Sequence, residues 1–195
     1  MIMKMKKLMK GQRGFTLIEL LLVIGLTGLI AGGLNMTVMQ LMTMSHGTAN
    51  RMTAVRQVQQ VGFWVSPDVQ MAEEVDPENN PYTPELLTLT WTEFGVSTNY
   101  SHEVIYTLED MPSGEFKILW REHYSGPDPD SLSLESTIKV AEYIDDTIDP
   151  NTGKPKTNCE IVVGELGDEL VFTVTATVGL QSETKVYKIK PRPGT

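Results

Sequence analysis

The hydrophobic pattern of the chain changes period along its length. Residues 15–39 are almost continuously apolar, interrupted by one charge, Glu19, and a few small or uncharged polar side chains. At ~1.5 Å per residue a run of about 20 residues crosses a bilayer, so this segment predicts a transmembrane helix. Apolar positions then thin to a stripe. Met52, Val55, Val58, Val61, Val65, Val69, Ala72 and Val75 recur at steps of three and four, with Arg51, Arg56, Gln57, Gln59 and Gln60 between them. That is a helix period, and the stripe predicts an amphipathic continuation packed on the rest of the protein. Ser66-Pro67-Asp68 reads as a break and restart, with Ser66 as N-cap, Pro67 at the first helical position and Asp68 in the first turn. A kink is expected there and a helix end near Val75.

Past the turn-rich stretch Asp76–Pro81 the period falls to two. Leu87–Trp91, Val104–Leu108 and Phe116–Trp120 alternate as strands, the last two joined by a hairpin loop over Asp110–Gly114. Leu170–Val178 alternates most cleanly, with Leu170, Phe172, Val174, Ala176 and Val178 on one side. A turn at Gly179–Ser182 leads to a final strand over Thr184–Lys190. Residues 125–158 are rich in Pro, Asp, Gly and Ser and predict loops with one short element around Ile138–Ile144. The expected class is α+β, a long N-terminal helix packed on a C-terminal antiparallel β-sheet.

Charge sharpens this picture. The net charge is −9, yet five of the sixteen basic residues (Lys4, Lys6, Lys7, Lys10, Arg13) precede the apolar run with no acid among them. The remainder of the chain therefore carries −14. The basic flank is expected on the cytoplasmic side of the membrane, with the C-terminal domain extracytoplasmic. A body this acidic repels phosphate backbones, so bulk nucleic-acid binding is not expected. Cys159 is the single cysteine, which excludes an intramolecular disulfide and a thiolate zinc site.

Glu19 separates a specialised anchor from a plain one. A secretory signal peptide has a shorter apolar core and a small-residue cleavage site, and the bulky Leu29 spoils the best candidate at Leu29–Gly32. A carboxylate at membrane depth costs on the order of 2–3 kcal/mol, which a plain anchor has no reason to carry. The run holds no lysine or arginine to pair with it. Cleavage before Phe15 would create a partner: an α-amino group with a reference pKa of about 8, one helical turn from Glu19. The positive end of the helix dipole adds to this.

Gly14-Phe15-Thr16-Leu17-Ile18-Glu19-Leu20 after a short basic leader resembles the signal of type IV prepilins and type II secretion pseudopilins. The resemblance implies cleavage between Gly14 and Phe15 by a prepilin peptidase, N-methylation of Phe15, and a part for Glu19 in subunit assembly. It implies as partners other pilin or pseudopilin subunits, the prepilin peptidase/methyltransferase, and an inner-membrane assembly platform. It divides the chain into a leader (1–14), a transmembrane helix (15–40), an amphipathic continuation (41–75) and a β-rich domain (76–195). The implied location is the cytoplasmic membrane as a single-pass protein, then a cell-surface or periplasmic fibre. Size and a weak Val140–Ile144 pattern are similar to the larger minor pseudopilins of the J or W type. Met36 stands where major pilins usually have proline, a departure from the family pattern. Gly28 and Gly32 share a G-x-x-x-G spacing, which suits close helix packing or simply reflects how common glycine is in membrane helices.

Catalytic signatures are absent from the sequence: there is no G-x-S-x-G elbow, P-loop or H-E-x-x-H. His46, His102 and His123 read as isolated, and Trp91, Trp120 and Tyr106 as core. The acidic loops at Asp128–Asp130, Asp145–Asp146 and Gly164–Glu169 lack EF-hand spacing and read as solvated rather than calcium-binding. No cofactor, metal or enzymatic activity is expected. The leading expectation is a structural, non-enzymatic fibre subunit, the alternative a fibre-borne binding, adhesion or DNA-uptake module.

Overall fold

The computed structural model describes residues 16–78, 83–95, 99–164 and 167–192. One helix, α1 (Leu17–Met71), precedes eight strands: β1 (Glu74–Pro77), β2 (Glu85–Glu93), β3 (Tyr100–Asp110), β4 (Lys117–Gly126), β5 (Ser133–Ile144), β6 (Asn158–Val162), β7 (Glu169–Val178) and β8 (Gln181–Ile189). A 3₁₀ turn, Pro129–Ser131, lies between β4 and β5. The chain divides into two compact units, one ending at His46 and the other running from Gly47.

In the first unit the helix carries its apolar side chains outward: Leu17, Ile18, Leu29, Leu34 and Met36 are each more than half exposed. It is long and apolar enough to cross a membrane, and the protein is membrane-anchored. Hydroxyls inside this segment are satisfied locally. Thr27 donates to the Val23 carbonyl and Thr37 to the Gly33 carbonyl, the latter at 2.9 Å. Such back-bonding satisfies these two hydroxyls within the helix.

The second unit is built on strand pairs that are antiparallel throughout, in the order β1-β2-β3-β4-β5-β7-β6 with β8 on the other edge of β7. The ladder between β5 and β7 is a single register pair, Ile144 with Ala176, and the Asp145 N–H donates to the Thr175 carbonyl at 2.9 Å beside it. The Cys159 thiol on β6 reaches back to the Leu86 carbonyl on β2 at 2.7 Å, drawing the far end of the order toward its start. Within this unit the helix stripe Ala54, Val58, Val61, Val65, Val69 and Ala72 is buried against Leu87, Leu89, Val104, Tyr106, Leu119, Leu170, Phe172 and Val174. Gly62 permits the closest approach. A Cβ there would lie 2.2 Å from the Tyr187 ring, whose hydroxyl donates to the Val58 carbonyl at 2.8 Å. At the β7–β8 hairpin Gly179 has φ +59° and begins a two-residue loop of the primed kind that fits strand twist.

Several expectations are corrected. The helix does not restart at Ser66: α1 runs through Pro67 and ends at Met71. Val75 lies in β1, paired with Leu89, rather than in a helix ending near it. Helical spacing alone cannot place the last member of a stripe when one strand position satisfies it equally. Met52 is 63% exposed and Ala54 takes the inward place at that level. Residues 125–158 hold more than one short element. β5 is twelve residues long, and β6 begins at Asn158. β5 looks like a loop in composition because its side chains are mostly polar or exposed, while backbone pairing to β4 holds it extended. The alternation read over Leu170–Val178 matches β7, where Leu170, Phe172, Val174 and Ala176 are buried.

Candidate functional site

The first turn of α1 is organised by Thr16. Its carbonyl accepts the Glu19 N–H at 3.0 Å and the Leu20 N–H at 3.2 Å, and its hydroxyl lies 3.4 Å from Glu19 Oε2. The carboxylate thus folds back over the N-terminal turn, where free N–H groups and the helix dipole favour negative charge. Gly14 and Phe15, the residues of the expected cleavage and methylation site, lie outside the described residues. Added Cβ atoms at Gly25, Gly28, Gly32 and Gly33 would meet nothing within 4 Å, so packing inside the single chain does not account for these glycines.

The β-rich unit holds a buried polar lock that the sequence reading missed. Asp68, placed by the sequence reading in a first helical turn, is 4% exposed. It accepts Arg121 Nε at 2.7 Å and Nη2 at 3.0 Å, and the Tyr106 hydroxyl at 2.5 Å. Burial, then the Asp68 charge, pushes the Tyr106 phenol far above its usual range. Burial works against the Arg121 cation, but the hydrogen bonds and charge of Asp68 outweigh it and raise its pKa. Arg121 also lies 5.4 Å from the centre of the Trp64 ring. The signal available in the sequence was parity: Leu119, Arg121 and His123 share one face of β4, and an arginine in an inward register needs a buried partner.

Cys159 is fully buried, and burial pushes its thiol up to about 12. It is a protonated donor to Leu86, not a nucleophile. Beside it opens a cleft of about 640 Å³ lined by Glu78, Glu85, Glu109, Asp110, Asp146 and Lys117 among others. Lys117 is held by Asp110 at 2.7 Å, which raises its pKa, with Asp146 at 3.7 Å. An acidic cleft of this kind repels phosphate groups. Among the described residues no group of three or more His, Cys, Asp or Glu side chains is arranged to hold a metal ion. Of the acidic loops, Asp145 is occupied by Lys156 at 2.8 Å and by the Thr147 N–H and hydroxyl at 3.1 and 2.6 Å. His102 and His123, expected to be isolated, are brought together with their ring nitrogens 3.2 Å apart.

Comparison with protein families finds the prokaryotic N-terminal methylation motif at residues 9–35. The match covers the basic flank from Met9, Gly14, Phe15, Glu19 and most of the apolar run. No curated protein and no solved structure matches the chain.

Proposed function

Because the chain belongs to the prepilin/pseudopilin family by its methylation motif, we propose that it is a structural, non-enzymatic subunit of a type IV pilus-like or type II secretion pseudopilus fibre. The observation that carries this reading is the coincidence of the motif at residues 9–35 with an apolar helix whose Leu17, Ile18, Leu29, Leu34 and Met36 are more than half exposed. Prepilin peptidase cuts between Gly14 and Phe15 and the new Phe15 amine is methylated. Glu19, at the start of the membrane helix, takes that amine from its own chain or from a neighbour as partner. Assembly then moves the helix from lipid to the helices of other subunits, a change in which small faces at Gly25, Gly28 and Gly32 allow close approach. The acidic β-rich unit lies outside the cytoplasmic membrane and gives the fibre its surface. A minor subunit of the J or W kind is the sub-assignment favoured by size.

The test is mass spectrometry of the native protein. Its N-terminal peptide is expected to begin at Phe15 and to carry one extra methyl group. A mature start beyond Ala31, or an uncut Met1 in a cell with active prepilin peptidase, would overturn the reading.

A further inference from the structure

The sheet carries a row of titratable groups that assembly through α1 does not use. His102 of β3 lies opposite Trp91 of β2 in the strand register, and His123 of β4 is a diagonal neighbour of His102. Their side chains are largely buried, at 13% and 19% exposure. His102 Nδ1 and His123 Nε2 are 3.2 Å apart, while the ring centroids are 5.4 Å apart with planes inclined by 21°. The centroid separation exceeds the nitrogen separation by nearly the full sum of the two ring radii. The two nitrogens therefore lie on the line between the rings, and the contact is edge to edge in almost one plane. Parallel planes here do not mean stacking. The N–H of one imidazole points along the lone pair of the other. A metal ion held by both would need lone pairs converging on a third point, which this in-line arrangement does not offer.

Carboxylates stand at both ends. Glu93 Oε2 of β2 is 3.3 Å from His102 Nε2, close enough for charge attraction, although that buried nitrogen makes no well-aligned hydrogen bond. Glu135 Oε2 of β5 is 3.5 Å from His123 Nδ1, and the other Glu135 oxygen accepts the Ser125 hydroxyl. A neutral imidazole has one N–H, so the neutral pair has two protons for three contacts: Glu93 to His102, His102 to His123, and His123 to Glu135. One contact is then left without a proton: either a carboxylate faces a ring lone pair, or the lone pairs of the two rings face each other. Adding one proton supplies an N–H to every contact. Adding a second sets two N–H groups against each other across 3.2 Å.

We propose that His102 and His123 form a single proton-binding site, filled by one proton and closed to a second. Filling it draws Glu93 and Glu135 onto the ends of the row and ties β2, β3, β4 and β5 together. The other charged groups around the row are consistent with one proton and no more. Arg121 lies two residues along β4 on the same face, and Asp68 of α1 neutralises it. Glu103 and Glu122, next to the two histidines in sequence, alternate to the opposite face of the sheet. Burial and the nearby Arg121 hold His123 below the usual histidine range, which opposes a charge localised on that ring. The surroundings are thus two carboxylates at the ends of a largely buried pair, an arrangement in which one proton completes the row and a second does not fit.

The experiment is imidazole nitrogen NMR on the full chain in detergent micelles, titrated between about pH 4 and 8, with His46 as a reference signal outside the row. The expected result is one step in which the His102 and His123 signals move together, and a second separated from it by more than about one pH unit. Glu93→Gln with Glu135→Gln, at exposed carboxylates that leave the sheet intact, should lower the midpoint of the first step. His102→Gln should leave His123 with a single, shifted step. Superposed independent titrations of the two rings would overturn the proposal, as would a His123 titration unchanged by His102→Gln. So would a first step indifferent to loss of both carboxylates.

Discussion

One helix passes through two environments, and its halves obey opposite rules. Leu17, Leu29 and Met36 project fully from the first half, whereas Val58, Val61, Val65 and Val69 of the second are sealed by the chain's own sheet. Burying one such side chain stabilises by roughly 1.5–3 kcal/mol. The second half realises that gain in folding, while the first leaves its apolar side chains exposed, as a membrane anchor requires. Their single acids follow the same division. Glu19 is exposed at the first turn, where the Thr16 hydroxyl donates to it at 3.4 Å. Asp68 is enclosed with Arg121 and Tyr106. One carboxylate is left exposed at a helix start, the other is satisfied inside the fold.

The largest effect expected from breaking this contrast is at Glu19. Glu19→Gln keeps size but removes the charge that would pair with a mature N-terminal amine. An amine left uncompensated in low dielectric weakens docking by on the order of 3–5 kcal/mol. The variant should insert and be cut after Gly14, yet be nearly absent from sheared fibres when scored against its membrane level. Thermal unfolding of the β-rich unit should not change. Wild-type incorporation would show that the carboxylate is not an assembly contact.

Next comes Asp68→Ala, whose effect should fall entirely on folding. It strands the Arg121 cation and the Tyr106 hydroxyl in the core, at a cost of about 3–5 kcal/mol. Denaturant melts of the full chain in detergent should show that loss, with Arg121→Met in the same background recovering part of it because the orphaned charge is gone. A loss below about 1 kcal/mol would mean the pair is solvated in the folded protein.

The unequal legibility of these two acids is itself informative. Glu19 stands out in the sequence because everything around it is apolar. Asp68 follows proline in a polar stretch and looks like any helix-start residue, and its partners lie 38 and 53 positions away. Local pattern found β7 because one of its faces is a clean apolar row. It missed β1, β6 and the first part of β5, before Ile138, because these segments are short or polar and backbone pairing holds them extended. The histidines looked isolated for a similar reason: residues 102 and 123 meet only through the β3–β4 register, which the hairpin at Gly114 sets.

A smaller effect is expected where the helix touches β8. Gly62→Ala puts a methyl into the Tyr187 ring, and its relief requires the ring to swing away from the Val58 carbonyl. Overpacking of this kind costs about 1–3 kcal/mol. Glycine is ordinarily the poorer helix residue by about 1 kcal/mol, so a measured gain in stability would show that Tyr187 does not close on α1. Gly28→Ala, where an added Cβ meets nothing within 4 Å among the described residues, should leave unfolding of the β-rich unit unchanged.

The smallest effect is a pH dependence at Asp145. Burial alone would raise this carboxyl's pKa, but the Lys156 ammonium at 2.8 Å and the hydroxyl and N–H of Thr147 more than offset that, leaving it below the usual carboxylate range. A carboxyl with a depressed folded pKa binds protons more weakly folded than unfolded. Its contribution is therefore complete above the unfolded carboxylate pKa and is lost as pH falls through the lower folded one. Lys156 is 38% exposed, so screening holds the contribution to about 1 kcal/mol. Asp145→Asn keeps the acceptor for Thr147 and removes the charge together with the oxygen that accepts from Lys156. Compared with the parent, it should be less stable by about that amount at neutral pH and show a shallower stability loss below about pH 4. Parallel pH–stability curves for the two proteins would mean that Lys156 does not hold the carboxylate in solution. The same substitution should leave fibre incorporation untouched, since Asp145 belongs to the part of the molecule that is satisfied by its own fold.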